Sequence, residues 1–388
     1  MSQQLSTVQL TDAFPPVVDG VSITVQNYAR QLNRSDMPTA VIAPGIWGQA
    51  EDEEYPVHRY LSLPTIVRPP YRFGVPRLDP LIWRKLKHLK VDLVHCHSPF
   101  SASRVALRLA RIHQLPLVAT FHSKYRDDLI RAVPIRPLVD RRIRRIVRFF
   151  ENADEVWIPS QSAVDTLREY GYTGPVRVAE PGTDMAPTRD AAQARARAEQ
   201  ILNTNGHRPV LLYVGQLVWE KNLELLMRAL RELWSAGSRF AMAFIGEGYA
   251  RADLAELATR FGLSDRICFP GVVRDRDALK ACYARADLFL FPSRYDTHGL
   301  VVREAAAQRV PTVFVRGSDA AEGVVDGVNG FVAEDTPEAF ARRIRTAVED
   351  PELIRSCGDQ ARQTLCRPWS EVVAGAAERY RELVDRIR

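Results

Sequence analysis

Two consecutive α/β domains, each a doubly wound parallel sheet, are predicted by three features of the sequence. At 388 residues the chain is longer than one ordinary core and suits two. Short apolar, β-branched runs alternate with longer amphipathic stretches, the rhythm of parallel strands connected by helices. The texture changes once, near the middle, and the same rhythm then restarts.

In the first half, strands are expected at Thr7–Thr11, Thr39–Ala43, Leu93–Cys96, Leu117–Phe121, Glu155–Ile158 and Val176–Ala179, with helices between several of them, including Ile23–Leu32 and Ala102–Ile112. The segment from Ala186 to Pro209 opens on a proline-containing turn, becomes Ala/Arg-rich and helical, and breaks at Asn205-Gly206; the hinge between domains is expected there. This gives a first domain over residues 1–187 and a second over 188–368. The second half then runs PVLLYVG, NLELLMRALREL, FAMAFIG, ADLAELATRFG, RICFPG, ALKACYARA, DLFLFPS, LVVREAAAQ and PTVFV, strand and helix in turn. The amphipathic stretch 369–388 is expected to cross back to the first domain.

Composition narrows the function. With 46% hydrophobic and 26% charged residues the chain has the make-up of a globular protein. No apolar run approaches the roughly 20 residues that span a bilayer. The opening MSQQLSTVQLTD lacks the basic and apolar regions of a signal peptide. Five cysteines, Cys96, Cys268, Cys282, Cys357 and Cys366, form no CxxC pair, so neither a disulfide framework nor a zinc site is expected and a reducing cytoplasm is the default. The net charge of +6 is local: Lys124 to Arg148 holds nine Lys or Arg against three Asp, an excess equal to that of the whole chain. One basic surface, rather than a nucleic-acid-binding face, follows. Within it Val139, Ile143, Ile146 and Phe150 recur at helical spacing, so one stripe should be buried, with Arg141, Arg142, Arg144, Arg145 and Arg148 left outside. A solvated helix and an acceptor-facing or membrane-facing surface both fit.

Three loops carry candidate chemistry. Phe14 to Val21, with Asp19 and Gly20, joins the first strand to a helix; backbone approach to a ligand and an ordinary turn are both compatible with it. Gly215-Gln216-Leu217-Val218-Trp219-Glu220-Lys221-Asn222 places a lysine before a helix at the carboxyl end of a strand, where it would meet a phosphate or simply be solvated. Gly246-Glu247-Gly248 would line the same crevice or form a plain turn. In the stretch Phe291 to Glu304, the amides of Gly299, Leu300 and Val301 open a helix and would face an anion. Asp296 precedes them, placed to hold sugar hydroxyls, and Glu304 lies about one turn inside, placed to reach a ribose.

In order and spacing these clusters resemble the retaining "group 1" glycosyltransferases, which have the GT-B fold of two Rossmann-like domains facing a cleft. The resemblance runs through nearly the whole chain. It is carried by the Gly-x-Leu-x-x-x-Lys-Asn stretch ending at Asn222, the Pro-Ser-x-x-Asp-x-x-Gly loop ending at Glu304, the Glu322–Gly330 run EGVVDGVNG, and Thr120-Phe121-His122-Ser123, which looks like the family's active-site histidine motif. The resemblance implies that Lys221 and the amides after Gly299 bind the diphosphate of a nucleotide-sugar, Glu304 its ribose and Asp296 its sugar. It implies that His122 contacts the sugar from the first domain, beside the Asp19-Gly20-Val21 loop. This chain departs from the family pattern at Gln216, usually Arg; at Asp296, usually Glu; and at Asp19-Gly20, usually Gly-Gly.

The reaction implied is transfer from a UDP- or GDP-sugar to a hydroxyl acceptor, forming an α-glycoside without a bound cofactor or metal; no Asp-x-Asp stands in a metal-binding context. The FPPVVDGV opening resembles members that glycosylate lipids, which would put a peripheral protein on the inner face of the membrane. Members acting on soluble natural products or cell-wall precursors share the same donor residues. A sugar-nucleotide 2-epimerase and a catalytically inactive sugar-nucleotide-binding protein are the competing readings.

Overall fold

A computed structural model describes residues 4–17, 19–45, 53–65, 71–188, 190–294, 296 and 299–387. Val18, Arg189, Tyr295, Thr297 and His298, from segments singled out above, lie outside the described residues. The chain divides into two compact units, residues 1–182 with 369–388, and residues 183–368.

In the first unit the elements run β1 (Thr7–Leu10), α1 (Gly20–Arg34), β2 (Thr39–Pro44), β3 (Val57–Tyr60), β4 (Ser62–Pro64), β5 (Arg72–Gly74), α2 (Pro80–Lys87), β6 (Leu93–Cys96), α3 (Ser101–His113), β7 (Leu117–Thr120), α4 (Tyr125–Ala132), α5 (Arg136–Glu151), β8 (Glu155–Ile158), α6 (Gln161–Glu169) and β9 (Arg177–Val178). Seven strands form one sheet in the order β3-β2-β1-β6-β7-β8-β9, parallel throughout. The order reverses between β1 and β6, and the loops that leave those two strands part company at the sheet's carboxyl edge.

Both faces of this sheet are covered, so most strand residues are apolar on both sides. Val8, Leu10, Val94, Cys96 and Ala119 pack one face beneath α3 and α5. The other face carries buried polar groups: the Thr7 and Thr39 hydroxyls meet at 2.8 Å, and Gln9 lies in register beside His95. On α5, Val139, Ile143, Ile146 and Phe150 are buried while all five arginines named above are exposed, as the spacing requires. β3 and the antiparallel β4–β5 pair were not foreseen. They lie in a short, Pro-containing, half-polar stretch, and pairing rather than local pattern makes them strands. Gly74 is needed where β5 passes α3, since a Cβ there would strike the Ser101 hydroxyl and the Tyr60 ring.

The second unit runs α7 (Ala191–Leu202), β10 (Val210–Val214), α8 (Leu223–Ser235), β11 (Ala241–Ile245), α9 (Arg251–Arg260), β12 (Ile267–Gly271), α10 (Arg276–Arg285), β13 (Leu288–Phe291), α11 (Leu300–Ala307), β14 (Thr312–Val315), β15 (Phe331–Ala333), α12 (Pro337–Val348) and α13 (Pro351–Leu365). Its six-stranded parallel sheet has the order β12-β11-β10-β13-β14-β15, with the reversal between β10 and β13. Alternate residues of each strand supply two cores. Leu211, Tyr213, Met242 and Phe244 pack with α8, α9 and α12, whereas Leu212, Val214, Ala243 and Ile245 pack with α7, α10 and α11.

The division at Gly182–Thr183 precedes the segment expected to be the hinge. Helix α7, inside that segment, buries Ala198 and Leu202 against the core of the second unit and is part of it. The last helix, α14 (Trp369–Ile387), belongs to the first unit. Its buried stripe includes Trp369, Val373, Tyr380 and Leu383. Tyr380 stacks on Trp157 with ring centroids 5.5 Å apart, and its hydroxyl lies 2.5 Å from His95 Nδ1. Beside them Arg379 donates to both Glu155 oxygens, at 2.5 and 2.9 Å to Oε2 and 3.2 Å to Oε1, while the Trp157 indole donates to Oε1 at 2.7 Å.

Burial alone would raise the Glu155 carboxyl, but the Arg379 and Trp157 donors outweigh it and hold it below its ordinary value of 4.5. Arg379→Met should therefore destabilise the first unit by about 2 kcal/mol at neutral pH, the usual size for a hydrogen bond to a charged group. A depressed carboxyl stabilises the fold above its unfolded pKa and loses that contribution as pH falls through its folded one. Thermal unfolding at pH 7.5 should separate wild type from the variant, and the gap should narrow below pH 4.5.

Candidate functional site

In the second unit the reversal of strand order brings the loops after β10 and β13 together at the sheet's carboxyl edge. Gly246, at the end of β11, has φ +140°, and a Cβ there would run into the carbonyl oxygen of Gly215. Glycine lets the two strand ends close on each other. Leu217, fully buried, anchors the loop after β10, and Tyr213 donates to the Gln216 carbonyl at 3.0 Å while the residue itself stays exposed. A short 3-10 turn, Trp219–Lys221, leads to Asn222, whose left-handed backbone starts α8 and whose amide donates to the Pro292 carbonyl at 3.3 Å. The loop after β10 is thus tied to the end of β13.

This tie sets Lys221 against Asp296, with which it forms an ion pair. Both side chains are mostly buried, 13% and 21% exposed. The second Asp296 oxygen, Oδ2, is buried and accepts no hydrogen bond from the described residues. Helix α11 begins immediately beyond, at Gly299 with φ +49°, and no side chain of the described residues caps it. A lysine from the loop after β10 is therefore paired, just ahead of α11, with a carboxylate whose other oxygen has no partner among the described residues.

Glu304, inside α11, is 4% exposed. Arg276 donates to its Oε1 and Tyr283 to its Oε2, each at 2.8 Å, and Arg276 also pairs with Asp184. Burial raises the Glu304 carboxyl above its ordinary value, against the opposing effect of these donors. Arg276 and Tyr283 were missed in the sequence; their i, i+7 spacing on α10 was the available signal. Asp275, in the Asp275-Arg276-Asp277 run, spends its carboxylate capping α10 through the amides of Asp277 and Ala278. Among the described residues no group of three or more His, Cys, Asp or Glu is gathered to hold a metal ion.

In the first unit, Asp19 is the N-cap of α1. Its Oδ1 accepts from the Ser22 amide at 2.7 Å and its Oδ2 from the Tyr71 hydroxyl at 2.8 Å. Gly20 and Val21 form the first turn behind it. His122 follows β7, and its Nε2 lies 3.0 Å from Nδ1 of His97, the rings stacked at 5.3 Å. His97 Nε2 meets Gln9 Oε1 at 2.8 Å. An amide oxygen only accepts, so with the Gln9 amide in this orientation His97 carries its proton on Nε2, its Nδ1 accepts, and His122 donates from Nε2. That sequence of bonds fixes the His122 tautomer. Burial pushes His122 down to about 4 and His97 well below its ordinary range, so both are neutral near pH 7. Gln9 and His97 were not foreseen as site residues. The clue was polar residues at period two on neighbouring strands, Gln9 and Thr11 beside His95 and His97.

His97 and Ser98, with Asp12 and Ala13 from the loop after β1, close the inner end of a cavity of about 660 Å³ within the first unit. Its walls continue over Phe73 and Phe100 to Arg141, Arg142 and Arg145 on α5.

Residues 194–364 match the family described as Glycosyl transferases group 1, and residues 18–186 match Glycosyltransferase Family 4. The chain is 25% identical to an alpha-monoglucosyldiacylglycerol synthase of Acholeplasma laidlawii, over 97% of this chain and 96% of that protein. It is 30% identical to D-inositol 3-phosphate glycosyltransferase 2 of Catenulispora acidiphila, over 76% of this chain and 72% of that protein. Its fold is similar to that of HepE of Anabaena, solved with UDP and glucose, at a TM-score of 0.77 and 21% identity over 96% of this chain and 98% of that one. The chain belongs to the group 1 glycosyltransferases, and its two doubly wound domains are those of the GT-B fold.

Proposed function

We propose that this glycosyltransferase moves a sugar from a UDP- or GDP-sugar to a lipid hydroxyl with retention, forming an α-glycoside, at the inner face of a membrane. The observation that carries the donor half is the Lys221–Asp296 pair beside the start of α11. A diphosphate arriving there gains Lys221 and the amides of Gly299, Leu300 and Val301, near Gly215, Gln216 and Gly246. Asp296, released from Lys221, accepts from sugar hydroxyls. Glu304 has two of its roughly four lone-pair positions engaged, which leaves capacity for a ribose hydroxyl.

Bond cleavage separates an oxocarbenium-like sugar from the leaving diphosphate. Catalysis then rests on positioning and on charge that stabilises the leaving group, which here is Lys221 and the helix start. The acceptor attacks from the face the diphosphate leaves, and a donor phosphate oxygen takes its proton. His122, with Asp19, Gly20 and Val21 near it at the edge of the first domain, contacts the sugar as a neutral, oriented imidazole. No tightly bound cofactor is part of this proposal. The lipid acceptor is favoured by the likeness to a relative named for diacylglycerol, and by the basic run Lys124–Arg148, which suits an anionic surface.

Lys221 matters most when the leaving charge develops, so Lys221→Ala should lower kcat by more than it raises the donor KM. With glutamine at 216, no second cation from that position compensates. Near-wild-type turnover in steady-state assays would remove Lys221 from the donor site. Glu304→Gln should weaken nucleotide binding about tenfold to a hundredfold in calorimetry. A parallel thermal-unfolding measurement separates that loss from any effect on the Arg276 pair. Because burial holds His122 near 4, kcat/KM should show no His122 titration between pH 6 and 8. A limb centred near the ordinary value of 6.5 that disappears in His122→Asn would contradict the neutral assignment.

A further inference from the structure

The cavity of the first domain has an unequal charge inventory. Its three acidic side chains are all engaged. Asp12 accepts from the Ser101 and Ala102 amides and the Tyr60 hydroxyl; Asp19 caps α1; Asp128 also has a partner. Of its five arginines, only Arg72 is committed, donating to Ser62 Oγ at 2.7 Å and to the Ser62 carbonyl at 3.1 Å. Arg104, Arg141, Arg142 and Arg145 have no hydrogen-bond or ion-pair partner among the described residues. Four guanidinium groups, from the first turn of α3 and one flank of α5, thus line the cavity without an ion-pair partner among the described residues, and its five arginines outnumber its three aspartates. Such a wall concentrates positive potential, and a phosphate is the anion whose geometry fits several guanidinium forks together.

The same cavity is apolar at its lip. Val133 and Leu138 line it at the connection between α4 and α5 and are 41% and 48% exposed, with Ile130 and Ile135 beside them in sequence at 40% and 52%. Four large aliphatic side chains left in water within nine residues mark a contact surface rather than a fold requirement. At about 660 Å³ the cavity takes a polar headgroup but not two acyl chains as well. Its inner end reaches His97, which holds His122.

We infer that this cavity is the acceptor site and that the acceptor is an anionic amphiphile. Its phosphate is gripped by Arg104, Arg141, Arg142 and Arg145, its hydroxyl lies toward His97, and its chains leave over Val133 and Leu138. This rests on the proposed transfer to a lipid hydroxyl and adds the acceptor's charge and the residues that read it. A flat basic face meeting any anionic membrane would need neither the cavity nor the inward-lining arginine on α3.

Binding of short-chain phospholipids below their micelle concentration tests this without a bilayer. In calorimetry on the full chain at low salt, dihexanoyl phosphatidylglycerol should bind at least tenfold tighter than dihexanoyl phosphatidylcholine. Arg104→Gln with Arg142→Gln should remove about tenfold or more of that affinity, and Leu138→Ser should weaken the lipid while leaving inorganic phosphate unaffected. Equal affinity for the two lipids, an unchanged double variant, or adsorption to phosphatidylglycerol vesicles with no monomer binding would each overturn the assignment. Phosphate binding as tightly as the lipid would overturn its amphiphile part. UDP and GDP binding, followed in the same samples, keeps the two proposals apart. Its loss in the wild type defeats the donor site, whereas its presence with no lipid preference defeats only the acceptor class.

Discussion

A parallel sheet delivers all its strand ends to one edge, and only where the strand order reverses do neighbouring loops turn away from each other and leave room for a ligand. This constraint organises both domains. In the first the reversal lies between β1 and β6, in the second between β10 and β13. The loops that leave those four strands hold Asp12, Asp19 and His97 in one domain and Lys221 and Asp296 in the other. The remaining strands supply burial, and burial on both faces restricts polar side chains to places where they find partners. His95 meets that condition by bonding to Thr120 and to Tyr380 of the last helix, and His97 by bonding to the Gln9 oxygen. A network of neutral groups is the form such a cluster takes when desolvation disfavours charge, and both His95 and His97 titrate well below their ordinary range for that reason.

The two domains resolve their charges in opposite ways. Lys221 is neutralised at rest by Asp296 across a largely buried contact, so the pair carries no net charge to a pocket without a donor. In the proposed donor site an arriving diphosphate would offer the lysine a stronger partner and free the carboxylate for hydroxyls, so one ion pair would serve two binding events. Arg104, Arg141, Arg142 and Arg145 have no such partner among the described residues. They remain hydrated on an exposed wall, where their mutual repulsion is screened by salt rather than cancelled by protein. The first arrangement suits a site that must hold its shape before the ligand comes. The second suits recruitment of an anion from solution or from a membrane.

Much of this was legible in the sequence because it depends on local pattern. Six strands of the first sheet and all but the last of the second follow from apolar, β-branched runs. The buried stripe of α5 follows from Val139, Ile143, Ile146 and Phe150 at helical spacing, and the candidate loops follow from glycine and charge at strand ends. What stayed hidden depends on pairing. Val57–Tyr60 and the paired strands Ser62–Pro64 and Arg72–Gly74 have little strand character until a neighbour supplies hydrogen bonds. The domain division lies ahead of the Ala/Arg-rich stretch because a change in composition is not a change in contacts. Helix α7 covers its side of the second sheet with residues as small as Ala198. Gln9 and His97 stand 88 positions apart, and Arg276 and Glu304 stand 28 apart, so no window of sequence displays either pair.

Glu304 shows how the two kinds of information combine. Its place after a Gly-containing loop made it a candidate ribose ligand, yet position alone does not explain how a carboxylate survives at 4% exposure. The answer lies on α10, where Arg276 and Tyr283 each take one oxygen. These bonds offset much of the desolvation that would otherwise neutralise the acid, and they fix the plane of the carboxylate. Arg276 is in turn held by Asp184, close to the point where the chain enters the second domain. A ligand hydroxyl meeting Glu304 therefore meets a group already oriented, so little ordering remains to be done on binding.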